Sequence, residues 1–347
     1  MRRLIALAGL IVLLSGCGGT DDRAPFTDSR IPPSLGPGFW APEGWAWGLI
    51  GVGEAPVQRY GVSSTLTAPR ANILILTGQG ETAEVWFETV RELNAAGHTV
   101  WVIERAGQGG SARYGGPHDL IHAPTFDDDI AAVRTLTRTL AQGSPDTPVI
   151  LIGAGLGGLV ALRAVQQGAA VDGLVLSAPD LKPDGALDGW QIWLAKVGLG
   201  AIPQGLGAGW KRDAPDAFAR GLTGDRDRGG LQAAWQVANP DLRMGGASLG
   251  WRGAFAEASA AASDGLAATR APALLLAAPG GEGEAFCSAL AMCRAATLPG
   301  ARALPHLDRP AVRAAWRAGL ESFVLERISA HEAARFPPPT ATPTHGL

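Results

Sequence analysis

The stretch from Pro148 to Val165 constrains the fold more than any other part of this chain. Its first residues, Val149 to Ile152, form a short unbroken apolar run, which is typical of a strand buried on both faces of a parallel sheet. Three closely spaced glycines follow at Gly153, Gly155 and Gly158, and the residues after them have the composition of a helix. The sequence therefore predicts a strand, a tight turn and a helix here.

The glycine turn allows two interpretations. The spacing G-x-G-x-x-G of Gly153, Gly155 and Gly158 is typical of a dinucleotide-binding turn, in which the pyrophosphate approaches the N-terminus of a helix. In enzymes with the pattern G-x-S-x-G, however, the same place between strand and helix carries the nucleophilic serine, and Gly155 stands at the position of that serine. The two alternatives predict different chemistry.

Length and composition exclude several classes of protein. The chain has 347 residues, of which 46% are hydrophobic, so it can bury a large core as one domain with an insertion or as two domains. Its net charge of −3 and the lack of a lysine-rich face argue against a nucleic-acid partner. No cluster of cysteine and histidine has metal-ligand spacing, and we expect neither a metal nor another cofactor.

Residues 1–17 have the features of a lipoprotein signal peptide. Arg2 and Arg3 precede a short apolar run, and Leu14-Ser-Gly-Cys17 resembles the bacterial lipobox, in which the cysteine becomes the lipidated first residue of the mature protein. The run is shorter than the roughly 20 residues that span a bilayer. The resemblance implies a palmitate-bearing anchor on Cys17, a membrane partner and a bacterial envelope location facing the periplasm. Gly18 in place of aspartate favours the outer membrane.

Two cysteines remain if Cys17 is acylated, an even number in an oxidising compartment. They are Cys287 and Cys293, and on one continuous helix their Cα atoms would be too far apart to bridge. A disulfide therefore requires a helix to end between them, and the sequence leaves this question open.

Alternating strand and helix patterns predict an α/β domain over residues 39–335. Residues 18–38 have the composition of a flexible tether, and residues 336–347 that of a disordered, proline-rich tail. A long insertion from about residue 180 to 264 separates the predicted strand at 171–178 from the next predicted strand, at 273–278. Strands are predicted at 57–62, 72–77, 99–104, 149–152, 171–178 and 273–278, and helices at 83–96, 125–140 and 310–327.

Several separate motifs resemble one family. The segment Glu104-Arg-Ala-Gly-Gln-Gly-Gly-Ser111, followed by His118, His122 and Phe126-Asp-Asp-Asp129, is similar to the lysophospholipase and monoacylglycerol lipase branch of α/β-hydrolases, the serine aminopeptidase S33 type. Further motifs similar to those of this family lie in the insertion, at Leu222-Thr-Gly-Asp-Arg226 and Met244-Gly-Gly-Ala-Ser-Leu-Gly-Trp251. The likeness runs from about residue 57 to 328. Glu104 departs from the family's usual aspartate.

The resemblance implies an α/β-hydrolase fold, with a mostly parallel sheet, helices on both faces and a lid over an acyl-binding groove. It also bears on the glycine turn, because a dinucleotide fold normally places its fingerprint at the first strand, with an acidic residue about 20 positions later. Here at least two strand-helix units precede the turn, and Ser177, Ala178 and Pro179 occupy the tip of the next strand. Dinucleotide binding is kept as the second alternative.

All three positions of a catalytic triad depart from the family pattern. Gly155 has no side chain to act as a nucleophile. The position of the acid falls near Gly281, which makes Glu282 the candidate residual acid. Alanine, at Ala303, stands where the histidine is expected, and His306 lies three residues later as the candidate residual base.

The oxyanion hole depends on backbone N–H groups, so it can survive these changes. The resemblance assigns its donors to Gln79 and Leu156, and donors at a helix N-terminus favour a carboxylate or phosphate oxygen. The sequence therefore predicts an oxyanion site and an acyl-binding groove without a serine nucleophile.

We predict a pseudo-hydrolase that binds a lipid-like ligand or a protein partner. The first alternative is an active carboxylic-ester hydrolase with a rearranged site, which uses water held by Glu282 and His306 or a displaced serine. Ser111 and Ser177 are interpreted as structural residues. His118 and His122 are interpreted as residues that order the loop after Glu104.

Overall fold

Eight strands form one central sheet in the computed structural model, which describes residues 25–185, 188–205 and 208–336. In chain order the strands are β1 (Ala46–Ile50), β2 (Gln58–Ser63), β3 (Asn72–Leu76), β4 (Thr99–Ile103), β5 (Val149–Ala154), β6 (Gly173–Ser177), β7 (Ala273–Ala277) and β8 (Cys293–Thr297). Their order across the sheet is β1-β2-β4-β3-β5-β6-β7-β8. β2 pairs antiparallel with β1 and β4, and all other pairs are parallel.

Helices cover both faces of this sheet. They are α1 (Phe87–Ala95), α2 (Asp127–Gly143), α3 (Leu156–Gln166), α4 (Gly189–Leu194), α5 (Arg226–Gly229), α6 (Leu231–Ala238), α7 (Leu249–Asp264), α8 (Glu282–Ala289) and α9 (Pro310–Arg335). One apolar cluster joins α2, α3 and α7 to one face, and a second joins α1 and α9 to the other. Every residue of β3, β5 and β6 is buried, as parallel strands between two helical layers require.

The predicted α/β-hydrolase architecture is confirmed, with differences at its edges. The sequence patterns missed β1 and β8, because these edge strands are partly exposed and lack a continuous buried run. Helix α9 extends to Arg335, beyond the predicted end at residue 327.

The predicted tether needs a correction over its described part. Residues 25–38 contact the domain: the Phe26 N–H donates to Gly110 O (2.8 Å), and the Arg30 N–H donates to Asn239 Oδ1 (2.7 Å). The Asn239 side-chain amide in turn donates to Arg30 O at 2.9 Å. Residues 18–24 lie outside the described residues, as do the predicted signal peptide with Cys17 and residues 337–347 of the tail.

The insertion between β6 and β7 lies over the carboxyl ends of the parallel strands and is called the cap below. It contains α4 to α7. Ile121 ties it to the loop after β4, since its N–H donates to Gly246 O and its carbonyl accepts from Ser248 N–H, both at 3.0 Å. The predicted insertion, at about 180–264, falls within this segment.

A disulfide joins Cys287 to Cys293, with 5.2 Å between their Cα atoms. Helix α8 ends at Ala289 and β8 begins at Cys293, so the helix does end between the two cysteines. The bridge fastens α8 to the last strand of the sheet. Over the described residues, no helix combines the length and the apolarity that crossing a membrane requires.

Candidate functional site

The turn between β5 and α3, residues 154–156, is called the elbow below. Gly155 has φ 50° and ψ −125°, a conformation that residues with a Cβ rarely adopt. Its N–H donates to Ser177 O at 3.1 Å, which joins the elbow to the end of the neighbouring strand β6. The elbow therefore has a backbone conformation that favours glycine, and Gly155 has no side chain that could act as a nucleophile.

The other glycines of the turn allow helix α3 to pack closely on the sheet. A Cβ atom at Gly157 would lie 2.4 Å from Leu76 O, and one at Gly153 would lie 2.5 Å from Gly157 O. Both distances are too short for a carbon and an oxygen that are not bonded. At Gly158, the third glycine of the G-x-G-x-x-G pattern, a Cβ atom would lie 2.7 Å from Pro179 Cβ. Packing at Gly153 and Gly158, together with the positive φ of Gly155, thus accounts for the pattern without a bound nucleotide.

Asp180, which the sequence analysis did not select, lies against the elbow. Its Oδ2 atom is 3.2 Å from the position of a Cβ atom at residue 155, and its N–H donates to Gly155 O at 3.0 Å. A carboxylate therefore occupies the space beside the nucleophile position. The signal in the sequence was Asp180 three residues after the end of β6, the strand next to the elbow.

The environment of Asp180 raises the pKa of its carboxyl group. Partial burial is the main cause, the nearby carboxylates of Glu81 and Asp184 add to it, and the Arg105 guanidinium opposes it. Protein atoms surround much of the carboxyl group, but the residue as a whole is exposed to solvent. Water therefore screens these interactions, and the carboxylate is accessible to a ligand.

The two expected oxyanion donors lie beside the elbow. Leu156 is the first residue of α3, so its N–H has no acceptor within the helix. Gln79 lies in the turn after β3, and the Gly78 Cα is 3.9 Å from the position of a Cβ at Gly155. Gln108 braces this turn on both sides of Gln79: its Nε2 donates to Gly78 O (2.9 Å), and its Oε1 accepts from Gly80 N–H (3.3 Å).

The acidic partner of His306 is Glu81. The His306 Nε2 atom lies 3.2 Å from Glu81 Oε1, an ion-pair distance. The imidazole stacks on Trp86 with 3.9 Å between ring centroids, and only 1% of the residue is exposed. Burial and stacking on Trp86 therefore hold the His306 ring in place.

The pKa of Glu81 lies below its ordinary value. Burial alone would raise it, but the His306 charge and hydrogen bonds to the carboxylate outweigh the burial. One of those bonds comes from the Gly78 N–H, which donates to Glu81 Oε2 at 2.7 Å. Glu81 therefore connects His306 to the turn that presents Gln79.

The predicted pairing of Glu282 with His306 is not the one that the structure forms. Glu282 is the first residue of α8, its side chain is more than half exposed, and its Oε1 lies 3.8 Å from Lys182 Nζ. Ala303, at the expected histidine position, is also exposed. The family pattern places the acid in the segment after β7, whereas Glu81 follows β3.

The buried serines are held by structural contacts. Ser177 Oγ accepts a hydrogen bond from Trp316 Nε1, and Ser111 Oγ accepts one from the Arg59 N–H, both at 2.9 Å. Ser248 Oγ lies 2.7 Å from His122 Nδ1 and caps α7 by accepting from the Trp251 N–H at 3.1 Å. His122 and Ser248 thus fasten the loop after β4 to the cap.

A cavity of about 1000 Å³ lies between the cap and the loop after β4. Its wall includes Lys182 and Pro183, from the segment that follows Asp180 in the chain. Small residues form most of the rest of the wall, including Gly115, Gly116, Gly200, Ala201, Gly253 and Ala256. Glu257 and His122 are among its polar members.

Metal binding finds no support in the described part of the chain. Over residues 25–185, 188–205 and 208–336 there is no group of three or more His, Cys, Asp or Glu side chains that could hold a metal ion.

The strand order, the elbow after β5 and the cap between β6 and β7 define an α/β-hydrolase. The model of the family described as serine aminopeptidase, S33, matches residues 67–281. The chain belongs to this family. This membership supports the hydrolase interpretation of Gly155 and removes the basis for the dinucleotide alternative.

Individual relatives agree with this assignment. The chain is 27% identical over 159 residues to a monoacylglycerol lipase of Mycolicibacterium smegmatis, a match that covers 46% of this chain and 54% of the relative. The match thus spans about half of the length of that curated relative.

Solved structures show the same fold. A soluble variant of the Saccharomyces cerevisiae monoglyceride lipase, in complex with a substrate analogue, superposes with a TM-score of 0.60 at 15% identity, covering 88% of this chain and 98% of that one. A Paleococcus ferrophilus monoacylglycerol lipase gives 0.57 at 21% identity, covering 78% and 98%.

Proposed function

We propose that this protein is a pseudo-hydrolase that binds a single-chain, lipid-like ligand under its cap and forms no acyl-enzyme. The observation that carries the proposal is Gly155 at the elbow with the Asp180 carboxylate beside it. An acyl-enzyme requires a nucleophilic side chain at this turn, and glycine has none.

The loss of the nucleophile is large in energetic terms. In serine hydrolases, removing the serine lowers kcat by about 10⁶, and what remains comes from the oxyanion hole and binding. The serines described above do not replace it, because Ser177 and Ser111 accept structural hydrogen bonds and are at most 4% exposed. The site therefore supports ligand binding and not serine-based catalysis.

The cavity supports an acyl ligand. Its volume of about 1000 Å³ suits a lipid-sized molecule, and its glycine and alanine walls offer little that would bind a polar solute. Each methylene that moves from water into such a wall contributes about 0.8 kcal/mol. The chain length of the ligand should therefore control its affinity.

The location belongs to the same proposal. The lipobox-like Leu14-Ser-Gly-Cys17 would place a lipid anchor on Cys17 and hold the domain at the bacterial envelope, facing the periplasm. A ligand taken from a membrane would then be close to the binding site at all times.

The test is thermal unfolding of the purified full-length protein, carrying Cys17→Ser to exclude acylation, with 1-monoacylglycerols of 8 to 14 carbons. We expect the melting temperature to rise with each pair of methylenes at equal free ligand. Ala256→Trp, at an exposed part of the cavity wall, should remove the rise, whereas Ala330→Trp, exposed on α9, should keep it. Shifts that do not depend on chain length, or that survive Ala256→Trp, would contradict the proposal.

A further inference from the structure

We propose that Asp180 selects the polar head of the bound amphiphile and favours a protonated amine over a carboxylate. This inference rests on the proposed binding of a single-chain ligand and adds the chemistry of its head group. It also reverses the expectation from the N–H groups of Gln79 and Leu156, which on their own favour an anionic oxygen.

The position of the carboxylate is fixed by the backbone. The Asp180 N–H donates to Gly155 O at 3.0 Å, and Ala178, two residues earlier, is the only non-glycine residue of the described chain with a positive φ (39°). A Cβ atom at Gly158 would lie 2.7 Å from Pro179 Cβ, so the turn is packed tightly on the start of α3. Strain of this kind persists only where the surroundings enforce it.

Gly155 and Asp180 form a matched pair. Since the Asp180 Oδ2 atom lies 3.2 Å from the position of a Cβ at residue 155, the carboxylate makes use of the space that the missing side chain leaves. A carboxylate accepts several hydrogen bonds. Among the described residues, none donates a hydrogen bond to this one, and the residue is exposed to solvent. It is therefore an available acceptor at the elbow.

The surrounding charges favour a cation. Glu81 and Asp184 add negative charge near Asp180, and Arg105 supplies positive charge that opposes it. His306 offsets part of the Glu81 charge, whereas Asp184 is exposed. Arg105 also faces the buried carboxylate of Asp129, so its charge is shared among several acids.

The nearest cation on the cavity wall does not change this balance. The Lys182 ammonium is 3.8 Å from Glu282 and more than half exposed. The negative charge around Asp180 therefore stabilises a bound ammonium head and destabilises a bound carboxylate head. Solvent at the elbow limits the difference to about tenfold in affinity, or about 1.4 kcal/mol.

The experiment compares ligands with the same chain and different heads. Isothermal titration of the full-length protein carrying Cys17→Ser, at pH 7 and below micelle formation, uses dodecylammonium, dodecan-1-ol and dodecanoate. We expect dodecylammonium to bind about tenfold more tightly than dodecanoate, with the alcohol between them. Asp180→Asn should reduce the preference to less than threefold, and Asp180→Ala should do the same.

The control is Asp127→Asn, which removes the same charge from an exposed position on α2 and should keep the full preference. Equal binding of dodecylammonium and dodecanoate by the native protein, or an unchanged preference in both Asp180 variants, would overturn the assignment of Asp180. In those cases chain-dependent binding of the alcohol would leave the proposed function standing. If none of the three ligands binds, the proposed function fails and the head-group assignment fails with it.

Discussion

The Oδ2 atom of Asp180 lies 3.2 Å from the position that a Cβ atom at Gly155 would take, a separation shorter than an ordinary contact. Gly155 has φ 50° in the turn between β5 and α3, and a carboxylate from the segment after β6 lies beside it. The two residues should therefore respond to substitution as a coupled pair.

The first prediction is that Gly155→Ser lowers the free energy of unfolding by about 1–2 kcal/mol, because serine must adopt φ 50° and its Cβ crowds Asp180 Oδ2. Asp180→Ala in the same chain should recover the part of this loss that comes from crowding, since alanine removes the crowded carboxylate. Urea denaturation of the two single variants and the double variant measures the coupling. Strictly additive effects would show that the two side chains do not share this space.

A second prediction concerns the buried ion network under the N-terminal segment. Arg59 is completely buried and bonds two carboxylates, Glu84 (Nη1–Oε1, 2.9 Å) and Glu104 (Nε–Oε2, 2.9 Å). Glu104→Gln should cost about 3 kcal/mol of stability, since it leaves a buried guanidinium with one anionic partner. The measurement is the midpoint of urea unfolding.

The matched control is Glu326→Gln. Its ion pair with Arg294 has the same kind of groups 3.1 Å apart, but both side chains are about half exposed. The control should change stability by less than about 0.5 kcal/mol. A Glu104 variant as stable as this control would show that the buried network contributes nothing.

The third prediction is a pH dependence that originates at Asp129. Burial raises the pKa of this carboxyl to about 7, with Asp128 adding to the shift, although Arg105 and the Ala106 N–H oppose it. The unfolded chain releases this proton near pH 3.9, so the folded state holds more protons between about pH 4 and 7. Stability from this group is complete below pH 4 and falls by up to about 1.4 kcal/mol per pH unit as the pH rises towards 7.

Asp129→Asn keeps the side-chain oxygen that accepts from the Ala106 N–H (2.8 Å) and removes the titration. The difference in unfolding free energy between variant and native protein should therefore grow in favour of the variant from pH 5 to pH 7.5. The exposed Asp127→Asn is the control and should track the native protein. A constant difference across this range would mean that Asp129 titrates normally.

The parallel core could be predicted from the sequence because its strands are continuous apolar runs, as in Val149 to Ile152. The elbow was also predictable, since strand, glycine turn and helix are consecutive in the chain. Asp180 and Glu81 were not, because their partners come from distant parts of the chain. Asp180 meets Gly155 only when β5 and β6 lie side by side, and Glu81, after β3, meets His306 from the segment after β8. The residue pairs of a site assembled from several strand ends are set by the sheet order, which local patterns do not contain.

The fourth prediction tests the lipid anchor. Native protein expressed in a bacterium should incorporate labelled palmitate, and Cys17→Ser should incorporate none and accumulate as an unprocessed precursor. The Cys287→Ser/Cys293→Ser double variant is the control, because both cysteines are joined in a disulfide within the domain and should not affect labelling. Equal labelling of the Cys17 variant and the native protein would contradict the anchor.

The most direct test of the central claim is the intact mass of the purified protein after incubation with a fluorophosphonate, together with its turnover of a short acyl ester. With no nucleophile at Gly155, the mass should remain that of the unmodified chain, and ester hydrolysis should match the rate of the uncatalysed control. Stoichiometric modification of Ser111, Ser177, Ser248 or any other serine, with loss of an esterase activity present beforehand, would show that the chain is an active serine hydrolase.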